Sequence, residues 1–302
     1  MDRPPFPSAL DNTILSSFRS CPISSYRTYF HHWKEKSSSV HLHAGAAFAR
    51  GLEVARKLYY DEQLSENLAL AGGYRALLEA YGDFDCPPDS AKSSTRMAQA
   101  FEFYLSGEWS LSRDTARPAL MPSGKHAVEF SFAEPLPINH PETGQPIIYT
   151  GRADMIVELN GGLWVEDDKT ASQLGAKWAN QWEMRSQFTG YSWAARNHGW
   201  SVDGVLVRAV AILKTEFKRA QHITYRPDWE VTRWLDQTCR DIERMIQMWR
   251  DGVWDYNLGE SCAAYGGCEY LPICKRPNPE EWMEAYFERR EWNPLTRTET
   301  RL

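Results

Sequence analysis

Hydrophobic positions along the first third of the chain recur at helical spacing. Residues 9–34 read as helix, with Asp11 or Asn12 as the cap and Pro22, directly after Cys21, as a break. HAGAAFARGLEVARKLYYDEQ predicts a helix over about 44–63, and two more follow at 65–80 and 90–106 around the loop YGDFDCPPDS. Near residue 125 the period shortens to two. HAVEFSFAEPL alternates, which puts Val128, Phe130 and Phe132 on one face. IIYTGRADMIVEL and LWVEDDKTA read as a second and third strand, joined by the hairpin signal Asn160-Gly161-Gly162. A helix from about 178 to 198, a strand at VDGVLVRAVAIL, another near 220–225 and a long helix at about 228–250 follow, and the last fifty residues are loop-rich. The pattern predicts a single α/β domain over 1–302. It has a helical N-terminal region (1–124), a core (125–226) and a C-terminal helix with an attached segment (227–302).

Composition adds little to that picture until charge is considered. At 302 residues, 42% hydrophobic and 25% charged, the chain can bury a large core. No apolar run approaches the roughly 20 residues of a membrane helix. The start, MDRPPFPSALDNTILSSF, lacks the basic-then-apolar order of a secretory leader, so a cytoplasmic protein is expected. The net charge of −6 excludes a general attraction for nucleic acid, so such contact needs a local basic groove or bound cations. Lys214, Lys218 and Arg219, then Arg50, Arg56 and Lys57, and Arg152 are the candidates, each against the ordinary reading of a surface charge. Trp178, Trp182 and Trp193 read as core, with base stacking as the alternative. No G-x-x-x-x-G-K-[ST] motif is present, so the chain is not expected to unwind DNA itself.

The most informative segment runs from Gly151 to Tyr191. Side chains alternate along a strand, so Asp167 and Lys169 share a face while Glu166 and Asp168 point the other way. The hairpin brings Asp154 beside them. Two adjacent carboxylates repel, and burial would raise their pKa unless a cation lies between them. A hard divalent ion such as Mg²⁺ or Mn²⁺ resolves that conflict, acidifies a water and neutralises charge on a phosphate. Lys169 is then placed to orient or deprotonate the water and to stabilise the transition state. Gln187 and Tyr191, four apart, share one helical face and can hold a phosphate or brace the strand. The ordinary alternatives are a solvated hairpin and an amphipathic helix.

These residues resemble the PD-(D/E)XK nuclease superfamily, and within it the RecB-type exonucleases, where G-x-x-D, (D/E)-x-K and Q-x-x-x-Y come in this order. The match is Gly151 to Asp154, Asp167 to Lys169, and Gln187 to Tyr191. The resemblance implies a restriction-endonuclease-like mixed central sheet flanked by helices. It implies Asp154 and Asp167 as metal ligands, with the carbonyl of Asp168, and Lys169 as the catalytic lysine. It also implies that Gln187 and Tyr191 support DNA and the site, and Glu129 matches a Glu often found on the preceding strand. The family commonly carries a His on an N-terminal helix. Here Ala49 stands in that place, and Glu53, one turn on, is the substitute carboxylate.

Six cysteines are present, and Cys262, Cys268 and Cys274 are each separated by five residues. With Cys21 they make four thiolates, a set that can hold zinc or an iron–sulfur cluster. Zinc sites usually use close C-x-x-C pairs, which this chain lacks. One distant Cys with a C-terminal triplet is similar to the iron–sulfur nucleases of the AddB and CRISPR-adaptation type, which implies a 4Fe–4S cluster tying the N-terminal helix to the tail. Three unrelated buried thiols are the alternative, and Cys86 and Cys239 read as plain thiols. The resulting expectation is a Mg²⁺- or Mn²⁺-dependent exonuclease acting on DNA ends or single strands in repair, recombination or phage replication. It could work beside a helicase or recombination partner and away from membranes. A weakly catalytic DNA-end-binding subunit and a zinc-stapled scaffold are the rival readings.

Overall fold

The computed structural model describes residues 3–36, 39–264 and 267–295. Strand β1 (Ala9–Leu10) leads into α1 (Asn12–Ser20) and the short α2 (Pro22–Ser25). Then come β2 (Trp33–Glu35), α3 (Val40–Tyr60), α4 (Glu66–Tyr81), α5 (Ser94–Tyr104), β3 (Arg117–Pro118), β4 (Val128–Asn139), β5 (Pro146–Leu159) and β6 (Gly162–Ala171). The chain continues through α6 (Ala176–Asn180), α7 (Ser186–Asn197), β7 (Val202–Ile212), β8 (Phe217–Tyr225) and α8 (Asp228–Asp251), and closes with α9 (Leu271–Cys274), α10 (Met283–Tyr286) and β9 (Phe287–Arg289). Among the described residues, seven strands form one sheet in the order β1-β5-β6-β7-β8, with β3 and β4 also pairing with β5. β5 and β6 are antiparallel, β6 and β7 parallel, and β7 and β8 antiparallel. This is the mixed sheet with flanking helices that the sequence predicts. No described helix is long and apolar enough to cross a membrane.

The chain forms two compact units, one of residues 38–131 with 152–231, the other of 1–37 with 132–151 and 232–302. In the first, α3, α4 and α5 bury Phe48, Leu52, Leu77, Met97 and Phe101 together with Val210 and Ile212 of β7. α3 and α4 approach closely because two glycines face each other. A Cβ on Gly73 would stand 2.7 Å from the Gly51 carbonyl and from the Ala55 Cβ. The β5–β6 turn uses Asn160 and Gly161 at φ 53° and 80°, the left-handed pair that a two-residue hairpin requires.

Two elements of this unit depart from the sequence expectation. The helix expected over 178–198 is two helices, α6 and α7, separated by turns at 181–185. Tertiary partners hold that break. Arg226 donates to the Trp182 carbonyl at 2.7 Å, and the Glu183 carboxylate is bonded by His222 at 2.6 Å and Thr224 at 2.9 Å. The regular alternation expected at Val128, Phe130 and Phe132 is broken at Glu129, whose φ is 59°. Val128 packs with Met155, Val157, Trp164 and Leu206, whereas Phe130 meets His198 beyond α7 at 5.3 Å. The kink therefore turns neighbouring side chains to different sides and buries Glu129.

In the second unit Asp11 caps α1, its Oδ1 accepting from the Ile14 N–H at 2.8 Å. Pro22 starts α2, where its missing N–H costs nothing. Phe6 meets Phe30, His140 and Trp249 edge-on at 5.6, 5.7 and 5.8 Å. β2 and β9 pair antiparallel, and Trp33, Tyr270, Ile273, Met283 and Phe287 make a small core.

Candidate active site

The register of β5 against β6 sets Met155 opposite Glu166, Ile156 opposite Val165 and Val157 opposite Trp164. Continuing that alternation places Asp154 and Asp167 on one face, with Lys169 one pleat further along. Lys169 is ion-paired to Asp167, and the Asp168 N–H donates to the Asp154 Oδ2 at 2.7 Å. α7 covers this face, with the Lys169 Nζ 5.8 Å from the Phe188 ring centre. One turn along α7, Gln187 donates to the Tyr191 hydroxyl at 2.9 Å, and Tyr191 is buried.

The electrostatics follow from burial. Burial, then Asp167, Asp168 and Glu129 hold the Asp154 carboxyl well above the usual carboxylate range, against the pull of Lys169. Burial also raises Asp167, with Lys169 opposing. For Lys169 burial favours the neutral amine, but Asp167 and then Asp154 overcome it and its pKa rises.

A family model for the PD-(D/E)XK nuclease superfamily matches residues 12–275. The chain belongs to that superfamily. A crystal structure from Eubacterium rectale, named there a "putative exonuclease", is similar to this nuclease chain with a TM-score of 0.52 and 12% identity, covering 85% of this chain and 88% of that one. A likeness of that identity speaks for the fold. A second solved structure, SSO0001, matches at a TM-score of 0.28 and 14% identity over 66% of this chain and 74% of its own. No curated protein matches the chain.

The remaining predicted residues of the nuclease chain fall around the Asp154–Asp167 pair. Glu53 is buried on α3 and held by Lys57 and Arg50, both at 2.9 Å. Burial raises its pKa, but the two cations more than reverse that. Ala49 lies one turn earlier on the same helix. Glu129 is buried and ion-paired to Arg152, and burial pushes its pKa up to about 7, with Arg152 opposing and Glu53 adding. The Arg152 Nη1 is buried without a hydrogen-bond partner. The Asp168 side chain turns to the opposite face, where it is ion-paired to Arg56 and accepts from the Tyr104 hydroxyl. Among the described residues, no three or more His, Cys, Asp or Glu gather as a metal site.

Two features escaped sequence reasoning. Behind β6, Arg56 pairs with Glu166 at 3.0 Å and with Asp168, while Arg208 pairs with Asp114 and lies 3.7 Å from Glu166. Arg56 is only 4% exposed, so it is no surface phosphate contact. The other is Arg185 at the start of α7, whose charge lowers the pKa of Asp167. An exposed Arg just ahead of the Gln-x-x-x-Tyr helix was the available signal. Of the other basic candidates, Lys218 pairs with Glu216 at 3.0 Å and Arg219 donates to the carbonyls that end α5. Trp178, Trp182 and Trp193 are buried, the core reading.

The four predicted cysteines lie in the other unit. Cys21, Cys262, Cys268 and Cys274 line one cavity of about 110 Å³. None is in a disulfide. The Cys268 N–H donates to the Cys262 carbonyl at 2.9 Å, and the buried Arg27 donates to the Cys274 Sγ at 3.2 Å. Burial raises the Cys268 thiol; a backbone hydrogen bond at Tyr270 opposes this, and Cys274 and Cys21 add to it. Cys86 and Cys239 lie apart from this group, on a loop and on α8.

Proposed function

We propose that this chain is a metal-dependent deoxyribonuclease that hydrolyses phosphodiester bonds, acting as an exonuclease on DNA ends or single strands. Its setting would be DNA repair, recombination or phage and mobile-element replication in the cytoplasm, beside a helicase or recombination partner. The observation that carries the reading is the placement of Asp154, Asp167 and Lys169 on one face of β5 and β6.

The donor chemistry fits a hard divalent ion. Asp154 and Asp167 are oxygen donors whose pKa values are raised by burial, and Asp154 is further raised by Asp167. The ligands would be these two carboxylates and the Asp168 carbonyl, with Glu53 as a candidate once released from Lys57 and Arg50. Bound Mg²⁺ or Mn²⁺ would acidify a water and offset charge on the phosphate. The chain's own contributions are distinct from that. Lys169, kept protonated, donates to the attacking water or to a phosphate oxygen and stabilises developing negative charge. Arg152, ion-paired to Glu129, holds that buried carboxylate beside Asp154. The Gln187–Tyr191 bond fixes the two side chains relative to each other on α7, which lies over the strand.

For the cavity lined by Cys21, Cys262, Cys268 and Cys274 the proposed occupant is a 4Fe–4S cluster, with Arg27 donating to the Cys274 Sγ. Its role would be structural, and zinc is the rival occupant.

Cleavage of end-labelled single-stranded DNA with Mn²⁺, compared between the wild type and Lys169→Ala, tests the enzyme reading. A loss of roughly 10²-fold or more is expected, as for removal of a charge-stabilising donor. Equal, negligible activity in both would leave a DNA-end-binding subunit, a reading that Ala49 in the usual His position favours.

A further inference from the structure

A second cavity, of about 350 Å³, lies between the end of α5 and strands β7 and β8, lined by Trp109, Arg113, Asp114, Arg208, Arg219 and Gln221 among others. β7 alternates, so Arg208 shares the face of Val210 and Ile212, which pack on α3–α5. The cavity is therefore on the side of the sheet opposite Asp154, Asp167 and Lys169, and does not hold the scissile phosphate.

Three guanidiniums converge here, and each has donors left over. Arg208 is 2% exposed. Asp114 takes its two Nη atoms end-on, and its buried Nε edge has no hydrogen-bond partner. Arg219 spends its Nη1 on the carbonyls of Phe103, Tyr104 and Ser106. The exposed Arg113 side chain makes no hydrogen bond or ion pair among the described residues. Trp109 is buried between Arg208 and Arg219, whose guanidinium carbons stand 4.9 and 5.1 Å from its ring centre. Its rigid indole fixes both cations. Since Asp114 offsets Arg208, Arg113 and Arg219 face one remaining carboxylate, Glu108, so the cavity is locally cationic in a chain of net charge −6.

We propose that this cavity binds the phosphate group of a nucleotide, with Arg113 and Arg219 as donors and Arg208 adding its charge behind them. Planar guanidiniums match phosphate oxygens better than any other side chain, and Arg113 and Arg219 both have donors left over at the cavity. The nucleotide is either free or part of a DNA strand whose other end reaches the active face. The choice of nucleotide over other phosphates rests on the nuclease reading.

Calorimetric titration of the full chain in EDTA, with thymidine 5′-monophosphate, a short oligothymidylate and thymidine, tests this without cleavage. At least one phosphate ligand is expected to bind and thymidine to fail. Arg113→Glu should weaken that binding about fivefold or more, in line with a reversed charge contact. Its melting curve reports folding, and Gln221→Glu, also exposed on the cavity rim, serves if Arg113→Glu does not fold. Binding of the mononucleotide assigns a free-nucleotide site, and binding of the oligonucleotide alone assigns a strand contact. Absence of binding by either phosphate ligand, or wild-type affinity in the folded variant, overturns the proposal. Because binding is read directly, a chain that binds but does not cut loses the nuclease reading and keeps this site.

Discussion

Asp154 is a carboxylate with three acidic neighbours, Asp167, Asp168 and Glu129, and one nearby ammonium, Lys169. That imbalance in a buried place is what the proposed divalent ion would relieve, and Glu129 turns it into a measurable pH effect. Its pKa rises from an ordinary 4.5 to about 7, first through burial, with Arg152 only partly offsetting. Below pH 4.5 the folded and unfolded chains both hold this proton, so it costs nothing. Between 4.5 and 7 the unfolded chain releases it while the folded chain retains it, so stability falls as pH rises through that window. Glu129→Gln removes the penalty. Urea unfolding should show the variant more stable than wild type by on the order of 1–3 kcal/mol at pH 8, with no gain at pH 4. An equal gain at both values would mean that packing, not charge, is responsible.

At the scale of the element, β6 performs two tasks on its two faces. Asp167 and Lys169 face α7, while Glu166 and Asp168 face α3, where Arg56 bonds both. The same strand segment reaches Asp154 through the Asp168 N–H, so the buried ion network behind the strand bears on the candidate site in front of it. Arg56→Ala would leave Glu166 and Asp168 short of their shared cation, and a broken buried pair of this kind typically costs about 3–5 kcal/mol. Denaturant unfolding at pH 7 should show a loss of that size; a loss under about 1 kcal/mol would mean that Arg208 suffices alone. The strand was legible because a period of two sorts Asp167 from its acidic neighbours, and the hairpin because Asn160-Gly161 tolerates positive φ. Arg56 was not legible. On an amphipathic helix an Arg reads as surface, and only the carboxylates about 110 residues away bury it. The breaks at 181–185 and at Glu129 escaped for the same reason, since distant partners such as Arg226 hold them, not local propensity.

At the scale of the molecule, the cysteine cavity belongs to the second unit, and its lining brings Cys21 together with a segment some 240 residues later. Protein contacts also hold that segment, the Tyr270 hydroxyl lying 2.9 Å from the Thr28 hydroxyl and donating to the Trp33 carbonyl at 2.7 Å. Leu271–Cys274 is a single helical turn, and the local core is five buried side chains around Tyr270. Closing so long a loop is entropically costly, and a four-thiolate cluster would offset that cost. Anaerobically purified protein should therefore show a broad absorption band near roughly 400 nm, the range of iron–sulfur charge transfer. Cys268→Ser should abolish the band and make the chain more susceptible to trypsin at Lys275, just beyond Cys274. These two readouts separate the cases. A colourless wild type carrying zinc would replace iron with zinc but keep the trypsin effect. A colourless, metal-free wild type with unchanged trypsin resistance in the variant would reduce the four cysteines to ordinary thiols and leave protein contacts, among them Arg27 bonded to Glu280 at 2.6 Å and the β2–β9 pairing, as the tie to the tail.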